Sequence, residues 1–313
     1  MRTRIRCASA LMFFVALCDP ACAELFVCAS DSIRVFADNA GPNDPPIRII
    51  AGPSTGITEC YDVALDIKND ELYVATGSVK VFAAGASGDV APIRQITAST
   101  FACAVAVDFQ TNQLFVGSTG PVLSIYSRTA TGMATPLVTK NLTGADTPIA
   151  LFVNRFRSQM AVSGFGSNTV YFFDPATLDP YPRPTLGLTA PRGLFAGPAQ
   201  DELFVAVSGG VKVFGWDGPL RRTIATLATT YWGVGITADS ALWTTVKSPS
   251  SNSADPLIAF LSTGPTAILG QINQAAPLTK EARGIAVSAA ADCGAGHVAC
   301  DSVFWDGFQN RRD

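Results

Sequence analysis

The residues of this sequence best suited to chemistry are two arginines and a small set of aromatic side chains. Arg192 and Arg283 stand in the matching contexts Pro-Arg-Gly and Ala-Arg-Gly. They occupy equivalent positions of an internal repeat, close to Tyr61, Tyr231 and Trp232. A guanidinium donates forked hydrogen bonds to anions, and aromatic rings stack on sugars and on guanidinium groups. The set therefore predicts a site for an anionic or sugar-like ligand. The alternative is that both arginines pair with carboxylates or backbone and only shape the surface.

Histidine chemistry is excluded from the repeats. The single histidine, His297, lies between Cys293 and Cys300 near the C-terminus. A histidine general base, a serine–histidine pair and a multi-histidine metal site therefore have no residues to build them. We predict no cofactor, no metal and no catalytic group, which favours a binding protein over an enzyme. A hydrolase or lyase that uses carboxylate, tyrosine or arginine side chains, with or without calcium, is the alternative.

Two other polar patterns are interpreted as structural. Asp66, Asp108 and Asn154 end apolar runs, where Asp and Asn commonly form turns. The Gly-Phe-Gly-Ser segment at 164–167 resembles part of a nucleotide-binding loop, but it joins two strands. Without a helix N-terminus to receive a phosphate, that motif is not expected to bind nucleotides.

The N-terminus has the three parts of an export signal. Three arginines lie within the first six residues, an apolar run covers 8–18, and Ala-Cys-Ala follows at 21–23. We predict that residues 1–23 are cleaved and that the mature chain begins at Glu24. An uncleaved membrane anchor is the alternative, but a span needs about 20 apolar residues. The mature protein is therefore expected in the periplasm or outside the cell, without a transmembrane segment.

Five cysteines follow the predicted signal, and export would expose them to oxidation. Cys293 and Cys300 enclose six residues, including two glycines, and predict a disulfide. Cys60 and Cys103 lie near the starts of neighbouring repeat strands and form a second candidate pair. Cys28 lies within an apolar strand and is interpreted as a small buried hydrophobic residue.

A pattern that recurs six times organises the rest of the chain. Its first strand is apolar, and the starts of successive copies are separated by 39 to 47 residues. Each is followed by a turn and a second strand that often ends in an aromatic residue. A denser apolar run precedes the first strand, and a more polar strand closes the unit. The six first strands begin at Leu25, Leu72, Leu114, Met160, Leu203 and Leu242.

Four strands per repeat of this length predict an all-β, six-bladed β-propeller over residues 24–291. The chain enters at a first strand, and an unmatched inner-type run lies at 284–288. We expect this C-terminal inner strand to pair with the N-terminal strands and to close the ring, which removes exposed sheet edges. An open stack of repeats is the alternative. The alignment places six residues at the channel mouth, with Trp232 adjacent: Tyr61, Cys103, Ile149, Arg192, Tyr231 and Arg283.

Two resemblances accompany this interpretation. The segment at 82–94 between the second and closing strands resembles bacterial NHL-type and related exported six-bladed propellers. The tail at 292–313 contains Phe-Trp-Asp-Gly-Phe, which resembles a short Phe-x-Asp-Gly-Phe signature of exported Gram-negative proteins. The first implies a fold but no activity, since such propellers include binding modules, scaffolds and enzymes. The second implies a sorting or docking tag; a tail that packs on the propeller is the alternative.

Charge narrows the class of partner. The net charge is −3 and no basic run follows the signal, so nucleic acid and anionic membrane surfaces are not expected partners. The sequence therefore predicts an exported, monomeric binding or scaffold protein for a protein, peptide or glycan. A propeller hydrolase or lyase and a structural component of the cell surface are the alternatives.

Overall fold

A computed structural model describes most of the repeat region. The described residues are 24–37, 40, 44–98, 100–142, 146–196, 201–224, 230–236, 241–247, 257–261, 268–272 and 282–287. For residues 230, 231, 241, 246, 247, 257–261, 268–272 and 282 only the backbone is described. The predicted signal at 1–23 and the tail at 292–313, with Cys293 and Cys300, lie outside the described residues.

Within these residues the strands form six four-stranded sheets, all with antiparallel neighbours. The first sheet contains β1 (Glu24–Ala29), β2 (Ser32–Ala37) and β3 (Arg48–Ala51), with β24 (Ala282–Val287) beside β1. The second contains β4 (Asp62–Asp66), β5 (Glu71–Ala75), β6 (Val79–Ala83) and β7 (Arg94–Ile96). The third contains β8 (Ala102–Asp108), β9 (Gln113–Ser118), β10 (Val122–Ser127) and β11 (Val138–Asn141).

The remaining three sheets follow the same order along the chain. The fourth contains β12 (Pro148–Asn154), β13 (Gln159–Gly164), β14 (Thr169–Phe173) and β15 (Leu186–Gly187). The fifth contains β16 (Leu194–Ala196), β17 (Glu202–Val207), β18 (Gly210–Gly215) and β19 (Leu220–Ile224). The sixth contains β20 (Thr230–Ile236), β21 (Ala241–Lys247), β22 (Leu257–Leu261) and β23 (Ile268–Ile272). Short 3-10 turns occur at Pro53–Thr55 and Arg155–Arg157.

The inner strands of the sheets, which are the dense apolar runs that precede the first strand of each repeat, lie around a common centre. Each of β4, β8, β12, β16 and β20 contacts the next, and β24 contacts both β20 and β4. β24 also pairs with β1, where Leu25 lies opposite Val287 and Val27 opposite Ile285. This arrangement confirms the prediction of an all-β propeller.

A recurring ion pair links the outer strand of a sheet to the first strand of its repeat, which lies next to the inner strand. Glu71 accepts hydrogen bonds from Arg94 at 2.6 Å, and the guanidinium of Arg94 lies 5.7 Å from the ring centre of Tyr73. The same pairing joins Glu24 to Arg48 in the first sheet and Glu202 to Arg222 in the fifth. The repeated Glu-Leu-aromatic-Val sequence thus provides a buried strand and also a glutamate that pairs with an arginine of the outer strand.

The outer strands are also held by the following sheet. The backbone nitrogen of Gly88 donates to the oxygen of Ile49 at 2.7 Å, and that of Gly132 donates to the oxygen of Gln95 at 2.7 Å. Both glycines have positive φ, +79° and +65°, which L side chains rarely adopt. These contacts occupy part of the outer strand edge, where unpaired backbone groups invite association.

The disulfide in the described residues joins Cys28 of β1 to Cys60, just before β4, with Cα atoms 5.6 Å apart. Cys103 is a buried free thiol. The predicted pairing of Cys60 with Cys103 is therefore wrong. Cys28 is buried, as interpreted from the sequence, but it also forms the disulfide with Cys60. The repeat equivalent of Cys103 is Tyr61, and residues one position apart in an extended chain direct their side chains to opposite sides. Cys60 consequently faces the first sheet, where its backbone nitrogen donates to the oxygen of Ser30 at 2.5 Å.

Candidate ligand site at the mouth of the central channel

The residues at the channel mouth can be identified from the pairing of the inner strands, which is equivalent in all six sheets. In each sheet, one residue of the inner strand pairs with the residue in the middle of the neighbouring strand. The inner residues are Val63, Val105, Leu151, Leu194, Val234 and Ile285. Two positions earlier in the chain stand Tyr61, Cys103, Ile149, Arg192, Trp232 and Arg283. Five of these six match the aligned positions, and the sixth is Trp232 in place of Tyr231.

The misplacement of Tyr231 has a local cause. Val234 pairs with Thr244, ten positions on, whereas the equivalent pairs of the second to fifth sheets are eleven apart. The stretch of chain between these paired residues is therefore one residue shorter, and an alignment on β21 slips by one. The backbone of Tyr231 pairs with Val246, and its side chain lies outside the described residues.

Bulges bring several mouth residues toward the channel. The pairing register shifts between Ala102 and Ala104 in β8, and between Pro148 and Ala150 in β12. The pairing register also shifts in β20 next to Trp232 and in β24 next to Arg283. A bulge leaves one residue unpaired and re-aims its side chain, which explains why the same level of the ring bears the exposed groups.

Guanidinium groups alternate with aromatic rings along part of this mouth. The guanidinium carbon of Arg192 lies 3.8 Å from the ring centre of Trp232 and 4.7 Å from that of Phe165. That of Arg283 lies 4.7 Å from the ring centre of Tyr61 and 5.6 Å from that of Trp232. The row ends where Tyr61 meets Phe101 edge to face, with ring centres 5.2 Å apart. We call this row the mouth arc: Phe165, Arg192, Trp232, Arg283, Tyr61 and Phe101.

Phe101 and Phe165 are functional candidates that the repeat alignment missed. Phe101 precedes β8 and Phe165 lies in the turn after β13, so neither belongs to the aligned column. Their side chains are 45% and 53% exposed, an unusual position for phenylalanine. The turn that carries Phe165 is the Gly-Phe-Gly-Ser segment at 164–167, where the buried carboxylate of Asp146 accepts hydrogen bonds from the Gly166 nitrogen and the Ser167 hydroxyl. The hydrogen-bond donors of this glycine-rich turn therefore bind a carboxylate of the chain itself, and the turn joins two strands instead of leading into a helix.

The mouth arc already holds a carboxylate of the chain itself. Glu59 accepts a hydrogen bond from Nη2 of Arg283 at 2.8 Å and one from the Tyr61 hydroxyl at 2.6 Å. Burial, together with the hydrogen bond to Glu59, raises the pKa of Tyr61 to about 12. The alternative expected for the arginines, pairing with a neighbouring carboxylate, is thus observed for Arg283.

A cavity of about 470 Å³ lies among the inner strands beneath the mouth arc. Its wall is mainly valine, leucine, alanine, phenylalanine and glycine. The charged residues that line it are Asp62, Arg155, Arg192 and Arg283. Arg155, which follows β12 at the opposite end from the mouth, pairs with Asp108 at 3.0 Å. The cavity wall is therefore mostly apolar, and its charged groups near the mouth are Arg192, Arg283, which pairs with Glu59, and Asp62.

Asp62 is an acidic residue at a repeat position that otherwise holds small side chains. The equivalent residues of the other inner strands are Ala104, Ala150, Gly193, Gly233 and Gly284. Oδ2 of Asp62 accepts a hydrogen bond from the Val105 nitrogen at 3.1 Å, so the side chain reaches across to β8. Burial raises its pKa to about 7. Sequence reasoning missed this group, although an aspartate in a column of alanine and glycine was a usable signal.

The turn residues behave as expected. Asp66 Oδ1 accepts from the Asn69 nitrogen at 3.1 Å, and Asp108 Oδ1 accepts from the Gln110 nitrogen at 2.9 Å. Asn154 Oδ1 accepts from the Arg157 nitrogen at 3.3 Å. The prediction that these three side chains form turns is confirmed. In the part of the chain that the structure describes, no cluster of three or more His, Cys, Asp or Glu side chains is arranged to hold a metal ion.

Comparisons with known proteins support the fold. No protein family model matches the sequence, and no curated protein matches it. A crystal structure of a protein of unknown function from Bacteroides caccae is similar, with a TM-score of 0.62 and 12% identity over 85% of this chain and 98% of that one. The WD40 β-propeller domain of Doa1 is similar with a TM-score of 0.56 and 10% identity over 81% and 80%. Among the described residues no helix is both long and apolar enough for a membrane span. The comparisons therefore support a β-propeller fold for this chain and do not identify a ligand.

Proposed function

We propose that this protein is an exported, monomeric β-propeller that binds a ligand at the mouth of its central channel. The single observation that carries the proposal is the mouth arc above a cavity of about 470 Å³. Ligand sites are typically concave and mostly apolar, with a few polar groups that fix orientation. The arc and the cavity together have that composition, and the partner is expected to be a protein, peptide or glycan.

The proposal includes a closed ring of six blades, similar to exported NHL-type propellers. Six four-stranded sheets among the described residues support the number of blades. The pairing of β24 with β1, and the contacts of β24 with β20 and β4, support closure. A closed ring keeps the mouth residues at fixed separations, as a binding site requires.

Export is part of the same proposal. The Cys28–Cys60 disulfide supports it, because disulfides persist mainly in oxidising compartments. We expect residues 1–23 to be removed and the tail at 292–313 to act in sorting or to pack on the ring. N-terminal sequencing of the protein recovered from the periplasm and from the medium tests this: a first residue other than Glu24 would contradict the cleavage site.

The binding function is tested at Trp232, the central ring of the mouth arc. The mature protein is applied to arrays of peptides and glycans, alongside Trp232→Ala and the control Leu220→Ala. Leu220 is a half-exposed apolar residue on the outer strand β19 and does not line the cavity. We expect Trp232→Ala to weaken every specific interaction and Leu220→Ala to preserve it, and thermal unfolding of each variant checks that it is folded at the assay temperature. Specific binding that Trp232→Ala leaves intact would place the site elsewhere.

A hydrolase or lyase is the second candidate, and Asp62 is the observation that favours it. A buried carboxyl with a pKa of about 7 beside a cavity is suited to general acid–base catalysis. Turnover of ester, lactone or glycoside substrates that disappears in Asp62→Asn and persists in Asp31→Asn would establish this class over the binding role. Asp31 is an exposed turn residue and provides a matched substitution.

A further inference from the structure

We infer that the cavity binds a small amphipathic carboxylate, whose carboxylate lies between Arg192 and Arg283 and whose apolar body enters the central channel. The inference rests on the proposed function for the location of the site at the mouth, and it assigns to that site a ligand class other than the expected protein, peptide or glycan.

The charge at the mouth selects an anion. Arg192 and Arg283 flank the same indole ring, at 3.8 Å and 5.6 Å from its centre. The third cavity arginine, Arg155, lies at the other end and is paired with Asp108. Two carboxyls lie near these arginines, Glu59, which pairs with Arg283, and Asp62, which burial keeps largely protonated below about pH 7. Below that pH the two guanidiniums outnumber the one ionised carboxylate, and at the opening of a low-dielectric cavity this excess positive charge attracts anions.

Glu59 shows which anion the mouth accommodates. Its two carboxylate oxygens accept from two different donors, Arg283 Nη2 and the Tyr61 hydroxyl. Stacking on aromatic rings occupies the faces of a guanidinium, while its N–H groups donate within the plane. A ligand carboxylate that enters beside Trp232 would therefore meet Arg192 as Glu59 meets Arg283, by charge-assisted hydrogen bonds.

The wall below the arc selects an apolar body. The residues one layer beneath the mouth are Val63, Val105, Leu151, Leu194, Val234 and Ile285. These side chains have no hydrogen-bonding groups, so a sugar or a peptide backbone buried among them would lose its hydrogen bonds to water. A hydrocarbon chain loses none, and about 470 Å³ lies within the range of small-molecule pockets. Asp62 adds one carboxyl to this part of the wall, too few polar groups to satisfy the several hydroxyls of a sugar. The wall therefore favours an alkyl or similar tail over a glycan.

The inference is tested by calorimetric titration of the mature protein with four probes below their self-association concentrations. Decanoate has the carboxylate and the tail, decanol has the tail alone, acetate has the carboxylate alone, and decylammonium reverses the charge. We expect decanoate to bind at least about tenfold more tightly than each of the others, because a hydrogen bond to a charged group and the burial of a tail each exceed one tenfold step in affinity. Equal affinity for decanol, or tighter binding of decylammonium, would overturn the assignment of the head group.

Two arginine variants separate recognition from loss of structure. We expect Arg192→Gln to weaken decanoate binding by about tenfold to a hundredfold and to leave the weak affinity for decanol unchanged. Arg221→Gln serves as the matched control, since Arg221 lies on an outer strand and pairs with Asp201 and Glu202 at the surface. Equal effects of the two substitutions would contradict the role of Arg192. Loss of decanol binding in Arg192→Gln would indicate damage to the cavity, and Arg192→Lys then decides. Because lysine keeps the charge but not the planar stack, Arg192→Lys should bind decanoate more tightly than Arg192→Gln and less tightly than the wild type. An affinity no higher than that of Arg192→Gln would contradict the role of the charge.

The outcomes also distinguish this inference from the proposed function. If decanoate does not bind, while peptides or glycans bind in a Trp232-dependent manner, the ligand class is wrong and the mouth remains the site. If Trp232→Ala and Arg192→Gln both leave all specific binding unchanged, the mouth itself is not the site and both proposals fall.

Discussion

Asp62→Asn tests whether the central channel holds a carboxyl group that destabilises the fold at neutral pH. Asp62 lies among β24, β4 and β8, and its burial raises its pKa from 3.8 to about 7. The amide of asparagine has nearly the same shape, and its oxygen can accept the same hydrogen bond from Val105. The substitution therefore removes the titration while it keeps the contact.

The expected magnitude follows from the difference between the two pKa values. Below about pH 3 the group is protonated in both the folded and the unfolded chain and does not affect the free energy of unfolding. As the pH rises from about 3 to about 7, the unfolded chain ionises first, and the free energy of unfolding falls by up to about 1.4 kcal/mol for each pH unit. Above pH 7 the loss levels off at roughly 4 kcal/mol, since the pKa differs by about three units. Asp62→Asn should therefore be more stable than the wild type at pH 8 by up to about that amount, and the difference should shrink to less than about 1 kcal/mol at pH 4.

Urea unfolding of the wild type, Asp62→Asn and the exposed control Asp31→Asn, at several pH values between about 4 and 8, measures this difference. Other carboxylates titrate in the same experiment; hydrogen bonds from Arg222, for example, lower the pKa of Glu202, whose stabilisation is lost as the pH falls. Such effects are common to all three proteins and cancel in the difference. Parallel curves for the wild type and Asp62→Asn would refute the assignment of a raised pKa to this group.

Three further perturbations follow from the same geometry. Replacing Cys28 and Cys60 by alanine should lower the free energy of unfolding by roughly 4 kcal/mol, as expected for a disulfide that spans 32 residues; a reductant should destabilise the wild type and leave the double variant unchanged. Gly284→Ala would place its methyl group 2.6 Å from a carboxylate oxygen of the neighbouring strand and should cost about 1–3 kcal/mol in urea unfolding, whereas Gly187→Ala, which meets nothing within 4 Å, should change little. Burial raises the pKa of the Cys103 thiol to about 11, so iodoacetamide should modify it at neutral pH only after unfolding; rapid labelling of the folded protein would contradict its burial.

The strands were predictable because their sequence pattern and their burial have one cause. The first strands that begin near Leu25, Leu72 and Leu203 are buried on both faces between neighbouring sheets, so each is apolar throughout. The second strands keep an aromatic residue at their end where they pack between sheets. Because each sheet packs against its neighbours in the same way, the same sequence pattern recurs, and the length of the repeat identifies the propeller.

The mouth residues were predictable only to within one position. The chain between Val234 and its partner Thr244 is one residue shorter than in the other sheets, so Trp232 takes the place expected for Tyr231. Bulges shift the register at the same level in β8 and β12. Both features depend on pairing geometry that hydrophobic periodicity does not record, and a one-residue slip exchanges the two faces of a strand.

The disulfide and the rest of the mouth arc depend on contacts between sheets. Cys28 and Cys60 lie 32 residues apart and meet because β1 packs beside the strand that follows Cys60. Phe101 and Phe165 join the arc from loops, and Glu59 from the segment before β4. Such neighbours follow from the twist and spacing of complete sheets, which the pattern of a single strand does not specify.

The departures from the repeat, more than the repeat itself, indicate a single site. Arg192, Trp232, Arg283 and Tyr61 occupy the mouth level of β16, β20, β24 and β4, each of which contacts the next, and Cys103 and Ile149 occupy that level of β8 and β12. A propeller built from equal repeats would offer the same backbone surface at every sheet. The mouth arc, by contrast, occurs once among the described residues, because its cations and aromatic rings are consecutive along one side of the opening. A ligand recognised by the arc should therefore bind with a stoichiometry of one per chain in calorimetry, and several equal sites per chain would mean that the repeated backbone is recognised and the arc is not.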